Sequence, residues 1–163
     1  MKRIHYLTLA AVIVVLDALT KWLVVQRIDL HEAVPIIPKF FQLVHVRNTG
    51  AAFGIGANAE SHLVPMLLNI GALAVFAVVV VYSFRSAVTA RTLQVGLHLI
   101  LGGAIGNLAD RLRQSYVIDF MDVYFRGWHF WAFNVADACI TIGAILVFVD
   151  LLFVTRHHAS HTV

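Results

Sequence analysis

The sequence predicts a helical membrane protein with a small sheet, because three observations agree. Apolar residues make up 60% of the 163 residues and charged residues only 13%, about half of the roughly 25% typical of water-soluble domains. Four apolar segments, each close to the roughly 17–25 residues that cross a bilayer as a helix, lie at about 4–25, 63–82, 93–109 and 131–154. The loops between them carry strand-like patterns. We therefore expect an all-α bundle of four transmembrane helices, one domain over 1–163, with a small β-sheet and a short helix or loop on the extracytoplasmic face.

The first apolar segment resembles a signal peptide at its start, because Lys2 and Arg3 precede it. The apolar run nevertheless continues to about Val25, is interrupted by Asp17 and Lys21, and lacks a convincing cleavage site between small residues. We therefore predict a retained transmembrane helix. Asp17 and Lys21 are four residues apart, which places them on one face of that helix. We expect them to form a neutralised ion pair with a structural role.

The third apolar segment is short and rich in glycine. Gly102 and Gly106 are separated by three residues, a spacing that lets two membrane helices approach each other closely. We therefore predict that this segment is a buried central helix, packed against its neighbours, and not merely a weakly apolar span.

The distribution of lysine and arginine predicts the orientation of the chain in the membrane. The N-terminus begins with a basic pair, the short loop 83–92 contains Arg85 and Arg91 but no acid, and the C-terminal tail carries Arg156. All three segments lie on one side if the chain crosses four times. Because basic residues concentrate on the cytoplasmic side of membrane proteins, we expect both termini to be cytoplasmic.

The two long loops that would then lie outside, 26–62 and 109–130, carry structural signals of their own. The stretch VHVR alternates apolar and polar residues as a strand does. The stretch 116–131 is rich in β-branched and aromatic residues, with a turn signal at Arg126 and Gly127. We expect these stretches to form a small sheet on the outer face of the bundle.

One stretch of the first outer loop, 54–64, is a candidate gate for a site on that face. Gly54 and Gly56 give it backbone freedom, and the polar run 58–62 separates it from the next apolar segment. Labelling of single cysteines placed along this run, with and without an inhibitor, would test the gate.

Several function classes fit the sequence poorly. The net charge of +3 comes from residues that flank apolar runs and form no basic patch, which argues against nucleic acid. No serine lies in a G-x-S-x-G motif, no phosphate-binding glycine motif occurs, and the nine histidines include no H-E-x-x-H. Cys139 has no neighbouring histidine, so we interpret it as a packing residue. We expect neither a metal nor a cofactor.

Polar residues in the apolar segments need an explanation, because a charge at the bilayer centre costs at least about 2.5–3.5 kcal/mol. With four crossings, the loop before the second segment and the outer ends of the third and fourth place several of them at one depth. These are Asn48, Asn107, Asp110, Arg111, Asn134 and Asp137. One such cluster is common at a helix end. Their convergence from several elements predicts a functional site.

Two carboxylates at that site predict its chemistry. Asp119 in the stretch VIDF and Asp137 in the stretch FNVAD are both expected at the outer mouth of the bundle. Two carboxylates that share a site cannot both ionise easily, so the pair holds one proton. In aspartic proteases one carboxylate takes a proton from water while the other donates a proton to the carbonyl oxygen. On spacing alone, Asp122 competes with Asp119 for this role.

Two other classes of function remain open at this stage. A small transporter or proton channel would use intramembrane polar residues as an ion relay, but it would spread them through the membrane, and here they crowd the outer half. A chaperone of membrane helices would bind its substrate one to one without cleaving it. Turnover of a precursor protein separates all three classes.

The ordered motifs of this chain resemble those of the lipoprotein signal peptidase family, also called signal peptidase II. The matching stretches are DALTK at 17–21, NTGAAF at 48–53, GGAIGNLADR at 102–111, VIDF at 117–120 and FNVADACITIG at 133–143. They occur in the family's order and with its spacing across nearly the whole chain. The family consists of bacterial inner-membrane aspartic peptidases with four transmembrane helices, so the resemblance implies that fold and that class of enzyme.

The resemblance also implies roles for individual residues. It implies a catalytic pair at Asp119 and Asp137, and so favours Asp119 over Asp122. Residues that would bind substrate or the peptide antibiotic globomycin are Asn48, Asn107, Arg111 and Asn134. Supporting residues would be Asp17, Lys21, Asp110 and Gly50. The family usually has Gln where this chain has Ala18, so the supporting hydrogen bond of that Gln is not expected here.

Finally, the resemblance implies a reaction and a location. The reaction is removal of the signal peptide from a prolipoprotein, by cleavage before a cysteine that already carries diacylglycerol. The expected location is the bacterial cytoplasmic (inner) membrane, with the active site near the outer leaflet. The expected partners are prolipoproteins, membrane lipids and peptide inhibitors such as globomycin.

Overall fold

The computed structural model describes residues 2–50 and 63–159. Four long helices and a four-stranded antiparallel sheet make up this part of the chain. The helices are α1 (Arg3–Arg27), α2 (Leu63–Arg85), α3 (Arg91–Gln114) and α4 (Val135–Ala159). The strands are β1 (Ala33–Ile37), β2 (Phe41–Asn48), β3 (Val117–Phe125) and β4 (Trp128–His129). The candidate gate at 54–64 lies outside the described residues, apart from the first two residues of α2.

Helix α3 lies at the centre of the bundle, where it contacts α1, α2 and α4. Its glycines permit the close approach. A Cβ atom at Gly102 would lie 2.9 Å from the carbonyl oxygen of Ala10, and one at Gly106 would lie 2.6 Å from Oδ2 of Asp17. The prediction of a closely packed central helix is therefore confirmed.

The outer surface of the helices is strongly apolar. Large apolar side chains such as Val15, Val78 and Phe148 are more than 60% exposed, which is unfavourable in water and favourable in lipid. Three helical segments of the described chain are long and apolar enough to cross a membrane, at Arg3–Arg27, Arg91–Gln114 and Val135–Leu152. Within α2 the described apolar segment is shorter, at Ile70–Arg85. The count of four crossings stays a prediction.

The small sheet has the strand order β1-β2-β3-β4, with every neighbouring pair antiparallel. The stretch VHVR lies in β2, as its alternation predicts. Arg126 and Gly127 form the two-residue turn between β3 and β4, with φ values of 52° and 82°. Positive φ at both positions is the pattern of a type I′ turn, which suits the twist of a tight hairpin. The predictions of a sheet and of this turn are confirmed.

The sheet is attached to the bundle through α1 and β3. Val24 and Ile28 from the end of α1 pack against Ile118 and Phe120 from β3 in one apolar cluster. This packing holds β3, and with it Asp119, against the end of the bundle that carries the N-terminus of α4.

Two predicted helix boundaries are wrong. The fourth helix begins at Val135 and not at about 131, because Phe133 pairs with Met121 of β3 and its backbone therefore continues the sheet. The third helix continues past 109 to Gln114. Asp110 and Arg111 therefore lie within α3, one turn after Asn107, at the end of the third helix as predicted.

Candidate active site

The two predicted catalytic carboxylates line the same cavity. This cavity has a volume of about 560 Å³ and lies where the end of α3 meets β3, the β4–α4 segment and the first turns of α4. Asp119 enters it from β3 and Asp137 from α4. Asn48, Asn107 and Arg111 also contribute to its wall, so the structure brings together five of the six residues predicted for catalysis or binding.

Asp119 is buried and accepts hydrogen bonds from two amide side chains. Asn134 Nδ2 donates to Oδ1 at 2.7 Å, and Asn48 Nδ2 donates to Oδ2 at 2.9 Å. Burial, and then the negative charge of Asp137, raise the pKa of Asp119 to about 7. The two amide hydrogen bonds and the charge of Lys21 oppose this rise in the pKa.

Asp137 lies at the N-terminus of α4 and forms a reciprocal cap with Asn134. The backbone N–H of Asp137 donates to Asn134 Oδ1 at 2.9 Å, and the backbone N–H of Asn134 donates to Asp137 Oδ2 at 3.2 Å. This is the geometry of a capping box. The positive end of the helix dipole stabilises a negative charge in the first turn. The motif FNVAD therefore both starts the helix and places a carboxylate in its first turn.

Asn134, the remaining predicted residue, joins the two carboxylates. It is fully buried. The same side chain caps α4 and donates the hydrogen bond to Asp119. Its Nδ2 also lies 3.2 Å from Asn107 Oδ1. Asn134 therefore fixes the position of Asp119 relative to Asp137 and does not itself appear in the cavity wall.

Asn107 links the carboxylate pair to a second buried polar cluster. Its Nδ2 donates to Asp137 Oδ1 at 2.7 Å, and its Oδ1 accepts a hydrogen bond from Lys21 Nζ at 3.0 Å. The amide is oriented by these contacts, because its nitrogen faces an acceptor and its oxygen faces a cation. Asn107, itself held by Lys21, thus positions the Asp137 side chain.

The predicted ion pair of Asp17 and Lys21 is confirmed, with Nζ 2.7 Å from Oδ2. Lys21 Nζ also lies 2.8 Å from Asp110 Oδ2, an ion pair that lacks hydrogen-bond geometry. The other oxygen of Asp17, Oδ1, accepts the backbone N–H of Ala136 at 2.9 Å. Asp17 therefore satisfies a donor that the start of α4 would otherwise leave unpaired. The sequence missed Asp110 as a partner of Lys21, because the contact joins two different helices.

Arg111 is the cationic residue in the cavity wall, and Gly50 positions it. Its Nη2 lies 3.2 Å from the carbonyl oxygen of Gly50. The backbone N–H of Gly50 in turn donates to Asn48 Oδ1 at 2.9 Å, a local turn typical of asparagine. Asn48 therefore orders Gly50 with its oxygen and bonds Asp119 with its nitrogen.

Asp122 lies in different surroundings from Asp119, although the two are only three residues apart. Gln42 Nε2 lies 2.7 Å from its Oδ2, and His129 Nδ1 lies 2.8 Å from the same oxygen. Asp122 lines a second cavity and not the one that holds Asp137. The sequence analysis did not identify Gln42 and His129. The pairing of Gln42 with Asp122 across β2 and β3 was the signal that could have found one of them.

The rest of the cavity wall is apolar and aromatic, formed largely by Phe130, Trp131, Phe133, Ile140 and Ile142. Cys139 is half-buried and does not belong to that wall. Among the side chains that the structure describes, no group of three or more potential metal ligands occurs.

Fold and site together define a helical membrane protein with a paired-carboxylate site, the kind of site that aspartic hydrolases use. A family model described as signal peptidase (SPase) II matches residues 9–153. The chain belongs to the signal peptidase II family, and it is a protease of a bacterial membrane.

Individual relatives agree with this assignment. The chain is 44% identical over 151 residues to the lipoprotein signal peptidase of Symbiobacterium thermophilum, covering 92% of this chain and 95% of the relative. It is 46% identical over 138 residues to that of Syntrophotalea carbinolica, covering 84% of each. A solved structure titled as a bacterial membrane enzyme, determined by the in meso method, superposes with a TM-score of 0.83 at 29% identity, covering 94% of this chain and 90% of that one.

Proposed function

We propose that this protein removes signal peptides from prolipoproteins, cleaving before a diacylglyceryl-modified cysteine with a water molecule activated by Asp119 and Asp137. The observation that carries the proposal is the difference between the two carboxylates that share one cavity. Asp119 is buried and has a pKa of about 7. Asp137 lies in the first turn of a helix, next to the amide of Asn107. One proton on the pair is therefore held preferentially by Asp119.

This difference assigns a role to each carboxylate. The Asp137 carboxylate takes a proton from water as the water oxygen bonds to the scissile carbonyl carbon. Protonated Asp119 donates its proton to the carbonyl oxygen, which gives an uncharged tetrahedral intermediate. The carbon–nitrogen bond then breaks and its electron pair stays on the nitrogen, which takes the proton from Asp137. The carbonyl re-forms as one hydroxyl of the intermediate returns its proton to Asp119. The pair thus ends with one proton, as it began.

The polar residues of the site contribute to substrate binding mainly by holding Asp119 and Asp137 in position. Asn48 and Asn134 bond Asp119, and Asn107 bonds Asp137. Arg111 contributes the cationic group of the wall, and its guanidinium can donate hydrogen bonds to the carbonyl groups of a bound peptide. Substrate or globomycin would contact Asn48, Asn107 and Arg111 from the cavity, because these three residues line its wall.

The apolar wall suits a lipid-modified substrate. Trp131, Ile140 and Ile142 offer apolar surface beside the carboxylates, where the acyl chains of a diacylglyceryl group can be buried. The apolar outer surface of the helices allows such a substrate to arrive by lateral diffusion in the membrane. The orientation that the basic residues predict would place the active site near the outer leaflet of the inner membrane, with both termini in the cytoplasm.

The test is turnover by the full-length protein in liposomes. A precursor that carries diacylglycerol on its cysteine should be cleaved many times per enzyme molecule, immediately before that cysteine, and globomycin should inhibit the reaction. The same precursor without the lipid should be cleaved much more slowly. Stoichiometric binding without cleavage would indicate a chaperone, and ion flux without cleavage a channel. Either result would overturn the proposal.

A further inference from the structure

A second cavity, of about 350 Å³, lies on the sheet next to the active site. Its wall is formed by Val44 and Val46 of β2, by Asp122 and His129, and by the segment 130–132. The same segment lines the active-site cavity. The second cavity contains no residue from a helix, so it lies on the side of the site that faces away from the bundle.

The buried carboxylate in this cavity lacks a hydrogen-bond donor. Asp122 is 6% exposed, and both of its side-chain hydrogen bonds involve Oδ2, at 2.7 Å to Gln42 and 2.8 Å to His129. Its Oδ1 is buried and has no hydrogen-bond partner among the side chains and backbone that the structure describes. A buried acceptor without a donor costs free energy and is rare in folded proteins. Because Asp122 lines the cavity, this unpaired oxygen indicates that a ligand in the cavity could supply the missing donor.

The charge of Asp122 is also only weakly balanced. In the described part of the chain no lysine or arginine forms an ion pair with it. Its nearest candidate for a counter-charge is His129, which carries a charge only when it is protonated. The His129 side chain is half exposed and stacks on Tyr124 with ring centroids 5.2 Å apart. This stacking holds the imidazole on Oδ2, so it does not supply a donor to Oδ1. A cationic donor would satisfy both the oxygen and the charge, because charge-assisted hydrogen bonds are the stronger kind.

We propose that this cavity is a subsite for a cationic side chain, lysine or arginine, that follows the lipid-modified cysteine of the prolipoprotein by about three residues. Asp119 and Asp122 are three residues apart on β3, which corresponds to roughly 10 Å along a strand. An extended substrate covers the same distance with about three residues. The inference rests on the proposed function, because it takes Asp119 as the position of the scissile bond.

The direction of the substrate follows from the location of the two cavities. The signal peptide is itself an apolar helix, and it belongs beside the helices that line the first cavity. The mature part of the precursor must leave the membrane for water. The second cavity is made of sheet residues and includes a half-exposed histidine, so it lies on the path that the mature part would take.

The experiment compares diacylglyceryl-modified precursors that differ at one position. Lysine, methionine or glutamate is placed at each of the six positions after the cysteine, and kcat/KM is measured with the wild-type protein in liposomes. Lysine should exceed methionine by about tenfold at the third position or one next to it, mainly through KM, and glutamate should be the poorest. A flat profile along the six positions would overturn the subsite, and this test requires no variant.

A pair of variants then assigns the preference to Asp122. In Asp122→Asn the ratio of kcat/KM for the lysine and methionine precursors should fall to about one. In Asp29→Asn, which removes an exposed carboxylate elsewhere, the ratio should stay near tenfold. An unchanged ratio in Asp122→Asn would overturn the assignment while cleavage itself continued. Failure to cleave any of these precursors would instead overturn the proposed function.

Discussion

Two groups of carboxylates at one end of this protease's bundle differ in what surrounds them. In the first, which we call the cation-paired cluster, Asp17 and Asp110 both lie within 3 Å of Lys21 Nζ. In the second, the amide-bonded pair, Asp119 and Asp137 receive hydrogen bonds from asparagine side chains. Both groups lie at the same end of the bundle, and Asn107 contacts both of them.

The difference separates a structural role from a chemical one. In the cation-paired cluster the Lys21 ammonium and the carboxylates form ion pairs, and removing one partner of a buried ion pair is strongly destabilising. Amides supply dipoles but no charge, so two carboxylates held only by amides favour keeping one proton between them. A proton that can move is what peptide hydrolysis by a carboxylate pair requires. The cation-paired cluster instead fixes the helices that present the pair.

The largest effect is expected from removing either member of the amide-bonded pair. Asp119→Asn and Asp137→Asn should each lower kcat by about a thousandfold, because each variant loses one of the two proton transfers. The measurement is cleavage of a lipid-modified precursor in liposomes, after the folded state has been checked by thermal unfolding. Near-normal turnover in either variant would contradict the assignment.

Asp122→Asn is the matched comparison for these variants, because it removes a buried carboxylate from the same strand. Its kcat/KM should fall by no more than about tenfold on any precursor, as expected for a lost binding contact. If Asp122→Asn were as inactive as Asp119→Asn is expected to be, the catalytic pair would have been chosen wrongly.

The next largest effect is expected in the cation-paired cluster, where a substitution should lower the stability of the protein. Lys21→Met leaves Asp17 and Asp110 without their cation, and breaking a buried ion pair in this way costs about 3 kcal/mol or more. The free energy of unfolding in detergent micelles should fall by about that amount. Asp17 also bonds the N–H of Ala136 at the start of α4, so α4 should lose protection from hydrogen exchange first.

The control for Lys21→Met restores electrical neutrality. Adding Asp17→Asn and Asp110→Asn to Lys21→Met should recover part of the lost stability, because no uncompensated charge then remains in the bundle. If Lys21→Met were as stable as the wild type and had lost only activity, the cluster would take part in the chemistry, and the distinction between the two groups would fail.

The sequence predicted the contacts that follow from local spacing. Asp17 and Lys21 are one helical turn apart, and Gly102 and Gly106 share a helix face, so both predictions needed only the helical period. The turn at Arg126 and Gly127 was predictable because glycine suits positive φ. The resemblance to a known family supplied the choice of Asp119 over Asp122.

The contacts that depend on the arrangement of whole elements could not be predicted. Asp110 meets Lys21 only because α1 and α3 pack closely, and the bond from Ala136 to Asp17 joins residues that are 119 positions apart. The late start of α4 depends on Phe133 pairing with β3, which no local pattern indicates. Likewise, the sequence placed Asp119 and Asp122 on the same strand. It could not show that the two residues line different cavities.

The smallest effect is expected in the pH dependence of the amide-bonded pair. The pKa of Asp119 is raised to about 7, above its ordinary value near 3.8, so the folded protein binds more protons than the unfolded chain between these values. Its stability should therefore fall as the pH rises through that window. If protonated Asp119 donates to the substrate, kcat/KM should likewise fall as the pH rises through about 7.

Two substitutions at Asn48 test this dependence. The hydrogen bond from Asn48 favours the ionised form of Asp119, so Asn48→Ala should raise the pKa of Asp119 and move the fall in kcat/KM to higher pH. Asn48→Asp keeps an oxygen for the Gly50 N–H but places a negative charge beside Asp119, so it should move the fall further in the same direction. The measurement is kcat/KM between about pH 5 and 9 for the three proteins. A rise in kcat/KM with pH through about 7, in place of a fall, would mean that ionised Asp119 is the active form, and the roles of Asp119 and Asp137 would have to be exchanged. A shift of the fall to lower pH in either variant would mean that the fall does not report Asp119.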